Sequence, residues 1–195
     1  MEWDEHTVID QTQLVALMRI VFNNDQHHVY AVLDGCKIAQ LPKRLQSSGC
    51  TYSCLFSGAL DPSLELAAPW LVELPAKSPF TSSLLQESWN QHGGILLQTA
   101  AEVDLYTVRH HLRRFLRVTG PGGQPMLFRF YDPRAFRIAI PQLRRADYLA
   151  FFAPVLGVFT EADNPSSVLH FTADGPMQGS VRAFPSADNA EHHHA

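Results

Sequence analysis

Val29-Tyr30-Ala31-Val32-Leu33-Asp34-Gly35 is the stretch on which the fold turns. Val29 through Leu33 carry no polar alternation, the pattern of a strand covered on both faces, and Asp34-Gly35 stops the run with a turn dipeptide. Upstream, Leu14, Leu17, Met18, Val21 and Phe22 repeat at helical spacing, so residues 12–23 read as a helix with Asp10 or Thr12 as N-cap. Downstream, residues 41–45 read as a short helix, 50–56 as a weak strand, 69–74 as an apolar strand bounded by prolines, 82–90 as a helix and 95–98 as a strand.

Residues 102–117 make the longest helical pattern. Leu105, Val108, Leu112, Phe115 and Leu116 fall within one arc, and Arg109, Arg113, Arg114 and Arg117 occupy its flank and far side. Pro121-Gly122-Gly123 marks a turn, and residues 126–131 read as an apolar and aromatic strand interrupted by Arg129. Asp132 caps a helix over 133–145 with Pro133 in its first position, and Pro141 kinks or ends that helix. Residues 148–158 and 167–172 read as two strands, or as a helix then a strand. The alternation predicts one α/β domain over residues 8–172: a central mixed, mostly parallel sheet flanked by helices. Residues 173–195 read as a short, irregular, flexible tail, with His192, His193 and His194 a tag remnant.

The chain has 195 residues, 46% of them hydrophobic, enough to fill a core without staples. Its net charge of -4 argues against a generally basic nucleic-acid or membrane binder. That total has two opposed parts: residues 109–145 hold nine arginines and one acid, a charge of +8, and the remainder carries -12. Such polarity can orient an acidic partner. Three cysteines, Cys36, Cys50 and Cys54, are an odd and sparse set that suits a reducing, cytoplasmic setting. Glu2, Asp4, Glu5 and Asp10 leave the first ten residues without the basic start of a signal peptide. No apolar run approaches the roughly 18 residues of a membrane helix.

Signatures of catalysis are sparse. Cys50 and Cys54 lack the second pair a structural zinc site needs, and read as ordinary buried cysteines. His27-His28 and His110-His111 are adjacent residues that point apart, so they read as surface or helix-end histidines. Cys36, after Asp34-Gly35, could meet a helix N-terminus as a nucleophile, but no base accompanies it. The most unusual segment is Arg129-Phe130-Tyr131-Asp132-Pro133-Arg134, two arginines bracketing one carboxylate. Structurally, Asp132 caps the next helix and pairs with Arg129 or Arg134. Alternatively, the guanidinium fork sits at a strand-end cleft and binds an anion, as in a small-molecule or phosphate enzyme.

Residues 30–35, 53–58, 68–74 and 128–134, read in order, resemble the successive blocks of a bacterial family, the adaptor chaperones of type VI secretion effectors, long labelled a domain of unknown function. The resemblance covers roughly residues 29–154 and falls on Leu33, Asp34, Gly35, Leu55, Phe56, Pro69, Leu71, Arg129, Phe130, Tyr131, Asp132, Pro133 and Arg134. It implies a non-enzymatic cytoplasmic adaptor, without cofactor or metal, that binds an effector and assists its loading onto the secretion spike protein. Many members continue into a longer helical C-terminal part, which this chain largely lacks after Val168. For such an adaptor, Arg109, Arg113, Arg114, Arg117 and Arg137 are the expected partner-binding residues, pairing with acidic groups while neighbouring aromatics bury apolar anchors.

Overall fold

The computed structural model describes residues 8–120, 122–164, 166–174 and 179–184. The tag-like histidines and Pro121 of the expected turn lie outside them. Asp10 begins the first helix, α1 (Gln11–Val21): its carboxylate accepts from the Gln13 N–H at 2.8 Å, and the Gln13 side chain accepts from the Asp10 N–H. Next come β1 (His27–Asp34), α2 (Leu41–Ser47), β2 (Tyr52–Cys54), α3 (Pro62–Ala67), β3 (Pro69–Glu73), α4 (Pro79–Ser88) and β4 (Gly94–Ala100). The second half holds α5 (Leu105–Arg113), β5 (Arg117–Thr119), β6 (Pro125–Leu127), α6 (Pro133–Ala139), α7 (Arg145–Phe151), β7 (Gly157–Glu161), β8 (Ser167–Phe171) and β9 (Ser180–Ala183). A single 3-10 turn (Ile140–Gln142) ends α6 where Pro141 forbids its continuation.

Among the described residues, seven strands form one sheet in the order β2-β3-β1-β4-β7-β8-β9, and β5 pairs with β6 in a separate ribbon. Every neighbouring pair in the large sheet is antiparallel. This overturns the expected mostly parallel sheet. Both β3 and β4 run against β1, which lies between them. They therefore run the same way, joined by α4 like strands of a parallel crossover, with β1 inserted between. Helix–strand alternation in sequence therefore coexists with a wholly antiparallel sheet, because strands that follow one another through a helix are not paired side by side as parallel neighbours.

The unbroken apolar run of β1 has the cause expected of it. Val29, Ala31 and Leu33 enter one core layer with Leu14 and Leu17 of α1, Leu41 and Leu45 of α2, and Leu84 and Leu85 of α4. Tyr30 and Val32 enter a second layer with Val108 and Leu112 of α5, Phe136 of α6, and Tyr148 and Phe151 of α7. Coverage of both faces removes the polar alternation, but it does not dictate strand direction.

Three local expectations are corrected. Residues 128–131 are not a strand; only Pro125–Leu127 pair, and they do so in the ribbon. Residues 148–158 divide between the end of α7 and the start of β7. Within the stretch read as an irregular tail, Ser180–Ala183 pairs with β8 as the outermost strand. No described helix is long and apolar enough to cross a membrane.

Gly35, one residue past β1, packs directly against the backbone that leads into β3. Its N–H donates to the Ala68 carbonyl at 3.1 Å. A Cβ on Gly35 would strike the Leu66 carbonyl oxygen and lie 2.7 Å from that of Ala68, and these backbone atoms cannot swing aside. Gly35→Ala is expected to destabilise the fold by about 1–3 kcal/mol. The check is a lower urea midpoint at unchanged m-value.

Candidate functional site

The four sequence blocks of the resemblance, scattered over a hundred residues, converge on one corner of the sheet. Asp34, the last residue of β1, stands opposite Pro69, the first of β3. Leu55, just past β2, donates its N–H to the Pro69 carbonyl at 2.9 Å. The Asp34 side chain is fully buried; Oδ1 accepts from the Cys36 N–H at 2.9 Å, and Oδ2 pairs with Nη2 of Arg129. Arg129 lies 5.8 Å from the centre of the Tyr131 ring, and Phe130 and Tyr131 are themselves buried in the second core layer. Burial, then the charge of Asp34, pushes the Tyr131 hydroxyl up to about 12, so this group stays neutral.

Asp132 N-caps α6, accepting from the Arg134 N–H at 3.0 Å, and receives the Arg134 guanidinium in a fork at 3.0 and 2.7 Å. Burial works to raise its carboxyl, but the Arg134 side-chain and backbone hydrogen bonds and the charges of Arg134 and Arg129 outweigh this and hold it below the usual range. The two bracketing arginines thus serve different carboxylates, Asp34 and Asp132. The anion-binding reading needed both guanidinium groups open to a ligand at a strand end. Each is instead engaged within the chain, and Arg129 follows no strand of the sheet.

The other basic residues divide sharply. Arg109 ties α5 to the end of β2, donating to the Cys54 carbonyl at 2.8 Å and the Phe56 carbonyl at 3.3 Å. Arg114 donates to Nδ1 of His111 at 2.6 Å, and Nε2 of His111 meets the Phe151 carbonyl at 2.7 Å. His111 is therefore a buried structural residue, and desolvation lowers its pKa. Arg137 bonds the Glu161 carbonyl at 2.6 Å and pairs with Asp163. Arg144 pairs with Asp147 at 2.8 Å, and Arg145 donates to the Ala173 carbonyl at 3.3 Å.

Of the five arginines expected to bind a partner, Arg109, Arg114 and Arg137 are thus occupied internally. The side chains of Arg113 and Arg117 make no hydrogen bond or ion pair among the described residues. Both line a groove of ≈ 380 Å³ with Leu55, Phe56, Leu64 and Leu127. Sequence reasoning missed α3, which supplies Leu64; Asp61-Pro62, a cap followed by proline, was the available signal.

The cysteines are free thiols. Cys36 precedes α2 by five positions and so does not occupy a helix N-terminus. Cys54 is only partly buried, and its thiol is raised by desolvation, the opposite of an activated nucleophile.

What stands here is an antiparallel α/β domain, helix-covered on both faces, whose corner of paired charges adjoins a groove with two uncommitted arginines. The chain belongs to the family described as Domain of unknown function (DUF4123), whose model matches residues 29–150. No curated protein and no solved structure matches the chain.

The Asp34–Arg129 pair is asymmetric, since the Arg129 side chain is 42% exposed and that of Asp34 is not exposed at all. Arg129→Met leaves a buried carboxylate uncompensated and is expected to cost about 3–5 kcal/mol. Asp34→Asn keeps an acceptor for the Cys36 N–H and releases a half-solvated cation, for about 1–2 kcal/mol. Denaturant unfolding of both variants checks the order.

Glu161 supplies a pH signature. It is buried, accepts from the His92 N–H at 3.1 Å and meets His92 Nδ1 at 2.9 Å. Burial pushes its carboxyl up to about 7 against the hydrogen bonds that favour ionisation. The folded state then holds a proton that the unfolded state has released, so the Glu161 contribution to stability falls as pH rises from about 4.5 to about 7. Glu161→Gln is expected to flatten the decline of Tm across that range, by on the order of 5 °C. Thermal melts of both proteins at pH 5 and 8 would test this.

Proposed function

We propose that this protein is a non-enzymatic, cytoplasmic adaptor chaperone of type VI secretion. It binds a toxic effector, keeps it competent for loading and presents it to the secretion spike. The observation that carries the reading is membership of the DUF4123 family, associated with type VI effector adaptors, across residues 29–150. The structure supports it through an apolar groove beside the corner that the family blocks build, with two arginines free to meet a partner.

The corner has a positioning role. Asp34, Gly35, Pro69 and Arg129 hold the ends of β1, β2 and β3 in register. Leu55 and Phe56 leave that register to line the groove, and Arg109 fixes their backbone from α5. Recognition then takes place on a rigid frame, which reduces the ordering cost of binding.

Co-expression of the tagged chain with the effector and spike proteins encoded beside it tests the reading. Retention of the effector through purification is the expected result, and retention of neither protein removes the reading.

A further inference from the structure

We infer that the groove between α3 and the β5–β6 ribbon is the docking site for an acidic partner segment, one that carries Asp or Glu next to large apolar side chains. This rests on the adaptor reading and assigns the surface and the chemistry of its partner.

The groove lies between two elements that contribute little to the core. α3 buries none of its residues, and all six ribbon residues are exposed. Both are nonetheless apolar: Leu64 and Leu66 of α3 are 41% and 50% exposed, and Val118, Met126 and Leu127 of the ribbon 42%, 45% and 52%. A solvated helix or ribbon is ordinarily polar on its outer face. Of these, Leu64 and Leu127 line one concavity, whose apolar lining Leu55, Phe56, Leu60 and Leu116 complete, and an exposed apolar cluster of this kind marks an interaction surface.

Charge selects the occupant. Seven of the nine arginines between 109 and 145 are engaged within the chain, and the remaining two, Arg113 and Arg117, line this groove. Asp61, at the start of α3, spends its carboxylate on the Ser63 and Leu64 N–H groups and the Ser63 hydroxyl. A partner carboxylate would satisfy the two guanidinium groups, and adjacent apolar side chains would cover Leu64 and Leu127. The two guanidinium groups repel a basic segment and so leave the groove to an acidic one.

The test uses the full chain and fluorescent 20-residue peptides tiling the effector and spike proteins encoded beside it. Peptides combining acidic and large apolar residues are expected to bind, and to weaken several-fold between about 50 and about 300 mM NaCl. Arg113→Glu with Arg117→Glu, and separately Leu64→Asp with Leu127→Asp, should each lower affinity about tenfold or more. Ile138→Asp, on an exposed position of α6, should not. All four groove positions are at least partly exposed, and unchanged melting curves confirm that the variants fold.

If wild-type protein retains the effector and both groove variants retain it equally, the groove assignment is wrong and the adaptor reading stands. If wild-type protein retains neither effector nor spike, the adaptor reading fails and takes the assignment with it. Binding confined to basic peptides overturns the chemistry. Self-association that the groove variants abolish, with effector binding intact, gives the groove to a second copy of this chain and also overturns the proposal.

Discussion

The pairing of the buried Asp34 carboxylate with Arg129 is the constraint on which the rest of this architecture depends. A carboxylate with no solvent access at the end of the central strand needs a cation, and this one arrives from 95 positions along the chain. Meeting that requirement brings Phe130 and Tyr131 into the second core layer and starts α6 at Asp132. The ribbon that precedes Arg129 is thereby held outside the sheet, close to α3. Groove and corner are two consequences of one charge placed inside.

Counting charges along a sequence and finding charges on a surface are different operations. Residues 109–145 carry +8, yet most of their arginines work as structural cross-links to backbone carbonyls, to carboxylates or to a buried histidine. Guanidinium suits this work because its several donors fan out in one plane and its charge persists when partly buried. The basic region that remains for a partner is a small strip beside an apolar groove. In the proposed docking, specificity comes from that juxtaposition and not from net charge.

Much of the element order was legible because local patterns report local causes. The α1 face, the cap at Asp132, the proline stop at Pro141 and the two-sided burial of β1 each depend on residues within a few positions of one another. The errors have equally physical sources. Residues 126–131 have strand composition, but only their first two belong to a strand, because Arg129 is drawn to Asp34 and the aromatics that follow are buried from a loop. Residues 180–183 lack apolar periodicity because they form an exposed edge strand, where burial imposes no pattern.

By itself the sequence determined the helices and strands whose burial imposes a local pattern, among them α1, β1, β3 and β4, that both faces of β1 are covered, and, through four short blocks, the family. Strand direction was decided only by the tertiary structure. Tyr30 pairs with Glu73 on one side and Leu97 on the other, and an apolar run looks the same whether its neighbours run with it or against it. The choice between structural and available arginines was likewise tertiary. Arg109 and Arg113 lie one helical turn apart with the same chemistry, and only the position of β2 beneath Arg109 separates a cross-link from a free cation.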